Sequence, residues 1–394
     1  MSKRDVVVLS GVRTAIGGFG GSLKSKTPSE LATACVEEAV KRSGAAPEDY
    51  GHCVFGNVIH TERRDMYLSR VAAVNAGLPF ETPAVTVNRL CGSGLQAIIS
   101  ATQQIELGVC DAAVAGGAEV MSQSQYWVPS ARFGQRMGDA AIVDAMVGAL
   151  TCPFDNTHMG ITAENIAEKW QISREDQDAL AVLSHNNAER AITEGRFKEQ
   201  IVPIELKSRK GSSFFDTDEH LRYGCKTEDM SKLRPAFKKD GSVTAGNASG
   251  LNDAAAAVTL MAAEVAEQKG LQPMAKLVSY SFAGVEPKYM GIGPVPAVRK
   301  LLADAELTIA DIDVWEVNEA FAAQALAVCR DLQLPAEKVN INGSGISLGH
   351  PIGATGAIIT VKALHELQRS GGHYAVATMC IGGGQGIAAL FERI

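Results

Sequence analysis

The chain has 394 residues, more than one simple core accommodates, which predicts two domains or a duplicated unit with an insertion. Hydrophobic residues make up 46% and charged residues 21%, and 37 Lys+Arg against 44 Asp+Glu leave a net charge of −7 with no basic block, which argues against a nucleic-acid surface. Eight cysteines without a CxxC pair argue against a zinc site or a secreted disulfide framework, and no run approaches the roughly 18 apolar residues of a membrane span.

In chain order, MSKRDVVVLSGVRT enters a strand at 5–9 with no signal-peptide apolar region, so a cytoplasmic protein is expected. A helix over 28–43 follows, with Thr27 as its cap and Gly44 beyond its end. Then come a strand at 52–58, a helix at 66–76, a strand at 84–87, a helix at 92–107 and a strand at 112–116. This alternation predicts an α/β class with a mostly parallel sheet. From about 121 to 248 the chain is richer in loops, charge and methionine, with helices at 162–170 and 174–194. An insertion of this length is usually functional and reads as a lid or substrate-binding subdomain.

The second half repeats the first: strand 275–280, helix 294–305, strand 312–316, helix 320–332, a short strand 339–342, helix 353–369, then strands 373–379 and 386–392. CVFGN (53–57) falls against WEVN (315–318), and NRLCGSGLQA (88–97) against NGSGISLGHPIGATGA (342–357), at nearly constant spacing. That points to a duplicated unit. The expected organisation is one half from 1–120 plus 249–270, an inserted loop domain over 121–248, and a second half over 271–394.

Cys91 carries the chemistry. In VTVNRLCGSGLQAIISA a β-branched strand runs into glycines and then an apolar-periodic helix. A thiol at such a helix N-terminus meets free N–H groups and the positive dipole end, which favour a thiolate and a covalent thioester. On its own such a cysteine is more often a small buried one at a turn, but distant segments weigh against that. His350 directly precedes Pro351 in SLGHPIGATGA, at or just before the start of the 353–369 helix. The dipole there favours neutral imidazole, which can act as a general base towards a thiol. Cys380 in TMCIGGGQG lies between a strand and glycines 382–384, where backbone N–H groups are exposed. Asn318 in EVNEAFAAQA reads either as a helix N-cap or as an amide that orients a water in an oxyanion hole.

NRLCGSG, NEAFAAQA, GHPIGATGA and CIGGGQG, in this order, resemble the four active-site segments of thiolases (acetyl-CoA C-acyltransferases). GNASGLND (246–253) and HMGITAEN (158–165) resemble the family's CoA-facing segments, and the likeness covers essentially the whole chain. ETPAVTVNRLCGSGLQAI, RDMYLSRVAAVNAG and NASGLNDAAAA look closest to bacterial broad-specificity β-ketothiolases.

The resemblance implies a duplicated, five-layer αβαβα fold with an inserted loop domain. It implies that Cys91 is acylated, that His350 takes the Cys91 proton, and that Cys380 moves the proton at the α-carbon of acetyl-CoA. Asn318, through a water, would form one oxyanion hole with His350; the N–H groups of Cys91 and Gly382 would form the other. Ser249 would contact the pantetheine, with His158, Phe237, Ala245 and Phe321 nearby. Leu150, Met159 and Met290 would line an acyl pocket for a short-to-medium linear chain, and Arg222 opens a stretch expected near the adenine. CoA thioesters would be substrate and product, with no other cofactor and no metal. A homotetramer or dimer without membrane or nucleic-acid partners is implied. Ala254 stands where many relatives have glycine, beside the CoA segment.

The residues suit that chemistry. Joining two thioesters needs an acyl-enzyme and a carbanion equivalent, and one nucleophile plus a second acid/base thiol supplies both. Each oxyanion-hole donor is typically worth about 2.7–4 kcal/mol. The alternatives fit less well. GSGLQA (92–97) formally matches a dinucleotide-binding fingerprint, but no Asp or Glu ends a following strand at the expected distance. A carrier-protein ketosynthase would typically carry a second histidine where Asn318 stands and would lack Cys380. A non-catalytic acyl-CoA-binding protein needs no nucleophile. Cys35, Cys53, Cys110, Cys152, Cys225 and Cys329 read as packing or surface residues, and the 207–210 stretch as a solvated loop.

Overall fold

The computed structural model describes residues 3–209 and 211–394; of the 207–210 stretch, Lys210 lies outside the described residues. One sheet runs through the molecule in the order Val314–Val317, Tyr374–Ile381, Gln385–Arg393, Ala275–Gly284, Val6–Thr14, Asn252–Ala262, Ala112–Val120, His52–Gly56, Ala84–Val87. Outward from the central pair Val6–Thr14 and Ala275–Gly284, the two halves list their strands in the same order, which is the duplication expected from sequence.

The sheet is mixed, not mostly parallel. Along this order its centre is antiparallel from Tyr374–Ile381 through to Ala112–Val120 and its ends are parallel, and the short strand Ile201–Val202 adds a parallel pairing to the end of Val6–Thr14. Two strands cause the difference. Gln385–Arg393 returns from Tyr374–Ile381 through a glycine turn with Gly383 and Gly384 at φ 84° and 88°, so the pair is a hairpin. Asn252–Ala262 returns from the insertion and was not foreseen as a strand, because its run of alanines has low strand propensity. Every one of its residues is buried, so packing overrides propensity.

Helices Ser93–Glu106 and Thr355–Ser370 pack on each other and touch strands of both halves, forming the middle layer. Pro28–Ser43 and Leu68–Asn75 cover the outer face of one half, Pro294–Asp304 and Ala322–Leu332 that of the other. The result is five layers, αβαβα. Local signals hold where they were strong: Thr27 and Glu30 form a capping box on Pro28–Ser43, and Gly44 ends it at φ 74°. The 339–342 segment is not a strand; it makes one bridge, Val339 to Trp315, and then turns.

The insertion carries the helices Met159–Lys169 and Arg174–Thr193 and the hairpin Ile204–Ser208/Gly211–Phe215. A fully buried ion pair fastens it to the first strand: Arg13 donates to both carboxylate oxygens of Asp218, at 2.7 and 2.9 Å. Tyr126, Trp127, Phe133, Met137 and Ile142 stand exposed on the insertion. Among the described residues all eight cysteines are free, and no helix is long and apolar enough to cross a membrane.

Candidate active site

A tight turn connects strand Ala84–Val87 to helix Ser93–Glu106 and carries Cys91. Leu90, just before the thiol, has φ 45°, a strained conformation for a branched residue. The turn is held by Ser93, whose hydroxyl accepts from Arg89 N (2.8 Å) and donates to Leu90 O (2.7 Å). A Cβ on Gly92 would lie 2.6 Å from Ile381 Cδ1, so glycine is what lets this turn approach the strand bearing Cys380.

The N–H groups of Gly382 and of Cys91 itself are directed at the Cys91 sulfur and favour its ionised form. Burial wins, and pushes the Cys91 thiol up to about 11, with the Glu119 charge adding to the rise. Cys91 therefore rests as a thiol, not the thiolate expected from its place near a helix N-terminus, and would need a base to act as a nucleophile.

His350, on the same cavity, is the candidate for that base. A turn over residues 351–354 separates it from helix Thr355–Ser370, so it sits further from the helix end than the sequence implied. Its imidazole is neutral as expected, but for another reason: burial pushes its pKa down to about 4. The His350 backbone N–H donates to Asn252 Oδ1 at 3.0 Å, while Asn252 Nδ2 donates to Gly17 O at 3.0 Å. The ring Nδ1 lies 2.7 Å from Thr355 Oγ1.

Cys380 is buried near the end of strand Tyr374–Ile381, level with Gly386, and not in the loop beyond it. Burial and the neighbouring Cys91 push its thiol pKa up, so it holds a proton at rest. Asn318 is not an N-cap, since helix Ala322–Leu332 starts four residues later with Phe321 at that position. Its Nδ2 faces the His350 ring, 3.5 Å from both nitrogens, and its Oδ1 has no protein partner.

A cavity of about 390 Å³ opens onto Cys91, His350, Cys380 and Gly382. Ser249, His158, Phe237, Ala245, Phe321, Leu150, Met159 and Met290 all line it. Asn318 is buried behind it, next to His350. Residues 247–249 and 320–322 pair edge to edge, through Ser249 N to Ala320 O (3.0 Å) and Ala322 N to Asn247 O (2.8 Å), which joins the insertion to the Asn318 loop. His158 stacks on Phe237 with centroids 4.8 Å apart and 16° between planes. Arg222 lies outside the lining, on an exposed stretch where its backbone N–H donates to His185 Nδ1 at 3.3 Å.

Sequence reasoning missed three buried polar groups that hold the site: Asn252, Thr355 and Glu119. The Glu119 carboxylate accepts from Asn57 Nδ2 (3.0 Å), Val58 N (3.0 Å), Ile59 N (3.1 Å) and Gly353 N (2.9 Å). Burial pushes it up to about 8 against the pull of those donors. A polar residue at the end of an otherwise apolar strand, as in AAVAGGAEV and NDAAAAVTLMA, was the available signal for Glu119 and Asn252.

Comparison with known proteins matches this architecture. The model of the thiolase N-terminal domain matches residues 6–264 and that of the thiolase C-terminal domain residues 271–393. The chain is 63% identical over 392 residues to beta-ketothiolase BktB of Cupriavidus necator, covering 99% of this chain and 100% of that protein. It is 49% identical over 398 residues to an acetyl-CoA acetyltransferase of Syntrophomonas wolfei, covering 99% and 100%. The structure of Bacillus anthracis acetyl-CoA acetyltransferase superposes with TM-score 0.97 at 49% identity, over 100% of both chains. Human mitochondrial 3-ketoacyl-CoA thiolase in complex with CoA gives TM-score 0.97 at 42% identity, over 99% of this chain and 98% of that one. With both domain models matched in order and the whole fold shared, the chain belongs to the thiolase family.

Proposed function

We propose that the protein is an acyl-CoA:acetyl-CoA C-acyltransferase, which cleaves 3-ketoacyl-CoA with free CoA and runs the reverse Claisen condensation. The observation that carries this reading is the convergence of Cys91, Cys380, His350 and the Gly382 N–H on one cavity, with Asn318 behind His350.

In the cleaving direction His350 takes the Cys91 proton, and the sulfur attacks the 3-keto carbon. The Cys91 and Gly382 N–H groups, which point at the sulfur, are placed to receive charge developing beside it. The C2–C3 bond breaks, and Cys380, which rests as a thiol, delivers its proton to C2, releasing acetyl-CoA and leaving acyl-Cys91. Incoming CoA attacks the acyl group and gives its proton to the Cys380 thiolate, while Cys91 leaves as its thiolate and recovers its proton from His350. Protons and thiols balance over the cycle. Asn318 would hold a water with His350 to steady the enolate oxygen in the condensing direction.

Leu150, Met159 and Met290 form an apolar wall suited to short linear acyl chains. One methylene is worth only about 1–3 kcal/mol in such a pocket, so broad short-chain specificity is expected. Ser249 and the His158–Phe237 stack are assigned to the pantetheine, and Arg222 to the outer end of CoA. The exposed Trp127, Phe133 and Met137 support self-association through the insertion. The free thiols suit the reducing cytoplasm.

The test is thiolysis of acetoacetyl-CoA and 3-ketovaleryl-CoA with free CoA, with intact-mass detection of an acyl adduct on Cys91. Cleavage of both with the adduct supports the reading. Cleavage of acetoacetyl-CoA alone narrows it to an acetyl-CoA acetyltransferase. No cleavage and no adduct removes it.

A further inference from the structure

We propose that Thr355 is a positioning residue that holds His350 with its proton on Nδ1 and its lone pair on Nε2, facing the cavity. The inference rests on the thiolase reading above but concerns a residue that meets no substrate, since Thr355 does not line the cavity.

The argument is one of donors and acceptors. Thr355 Oγ1 lies 2.7 Å from His350 Nδ1 and 2.9 Å from Pro351 O. A carbonyl oxygen can only accept, so the bond to Pro351 takes the hydroxyl proton, and Oγ1 is left as an acceptor. Nδ1 must then be the donor. In a neutral ring the other nitrogen is bare, and which nitrogen carries the proton is set by the bond the first one makes. Both side chains are buried, Thr355 at 2% exposure and His350 at 5%.

The same chain of bonds serves the charged state. Once Nε2 has taken the Cys91 proton, both ring nitrogens are donors, and Nδ1 keeps Thr355 Oγ1 as its acceptor. The nearby Asn318 Nδ2 is itself a donor and cannot replace it. Burial opposes imidazolium in this position, so an acceptor already in place matters more here than in water. A plain helix-start role for Thr355 would need only the bond to Pro351.

Thr355→Val keeps the shape and removes the hydroxyl; Thr355→Ser keeps the hydroxyl. Thiolysis of acetoacetyl-CoA should show kcat lowered about ten- to a hundredfold in Thr355→Val with KM unchanged, on the scale known for losing the group that orients a metal-binding histidine. The Thr355→Ser enzyme should stay near wild type. The rate of Cys91 alkylation by iodoacetamide should in Thr355→Val follow an unassisted thiol and rise only towards alkaline pH. A Thr355→Val enzyme with wild-type kcat, or a Thr355→Ser enzyme as impaired as Thr355→Val, overturns the proposal while leaving the thiolase reading intact. Should Thr355→Val fail to fold, neutron diffraction from crystals grown of the wild-type protein decides. Density for the exchanged proton on Nδ1 supports the assignment; on Nε2 with Nδ1 bare, it overturns it.

Discussion

Gly94 and Gly356 meet where the two central helices cross. A Cβ on Gly94 would lie 2.7 Å from Ala357 N, and one on Gly356 would collide with Leu95 N. The contact is reciprocal, each glycine against the residue after the other. It brings the helix that begins behind Cys91 to backbone contact with the helix that begins behind His350. No side chain fits between them.

Gly94→Ala and Gly356→Ala are accordingly expected to lower stability by at least about 1–3 kcal/mol, the usual cost of overpacking a tight core. Urea unfolding reads this directly. Both variants should also lose acylation rate on the proposed mechanism, because the crossing sets the spacing of Cys91 and His350. Wild-type midpoints in either would contradict the geometry.

His350 sets a pH dependence with a definite sign. Its pKa is about 4 when folded and near 6.5 in an open chain. Between these values the unfolded chain binds the proton and the folded one does not. Stability from this group is complete above about 6.5 and falls as pH drops towards about 4. A His350→Asn variant should lack that part of the acid slope. In wild type the single-turnover acylation of Cys91 should show no break near pH 6.5, and such a break would mean that the ring is not held neutral by burial.

Glu119 has the opposite sign. Its carboxyl is raised to about 8 in the fold, above its ordinary value, so its contribution is present at low pH and is lost as pH rises to about 8. Glu119→Gln should remove that slope. It also sets an NH2 group against two N–H donors, whichever way it turns, at a cost of about 1–3 kcal/mol. Loss of the charge should lower the Cys91 thiol pKa, seen as alkylation shifted to lower pH. An unchanged alkylation profile would show that the carboxylate does not act on Cys91.

Phe237→Ala should weaken the proposed CoA site without touching the proposed chemistry. The variant loses both the stack that orients His158 and part of the cavity lining, and a rise in KM for CoA of about two- to tenfold is expected. Thiolysis kinetics at varied CoA would show it, with kcat little changed. A fall in kcat at constant KM would place Phe237 elsewhere in the cycle.

The four residues proposed for the chemistry were legible as candidates because each stands at a turn or element junction with its own signature: Cys91 before a glycine, His350 before proline, Cys380 shortly before three glycines, Asn318 between strand and helix. Their protonation states were less legible. Sequence shows a helix terminus but not burial, and burial sets Cys91 and His350 alike. The strand–helix alternation gave the class and the duplication. It could not show that Asn252–Ala262 is a strand, since four consecutive alanines signal no strand until both neighbours are known. The supports Thr355, Asn252 and Glu119 were hidden because each acts through a partner distant in sequence or through a side-chain rotamer.

The central position of Val6–Thr14 has a consequence for how the protein is made. Its long sheet neighbours are Asn252–Ala262 and Ala275–Gly284, both more than half the chain away, and its last two residues also pair with Ile201–Val202. On the ribosome this apolar strand emerges well ahead of these partners and waits, its edges open, until they have been synthesised. Such non-local pairing is slow and exposes a sticky edge meanwhile. Yield in cells should therefore respond to translation rate and chaperone supply more than native stability alone would suggest, and a first half expressed without residues 252–284 should aggregate.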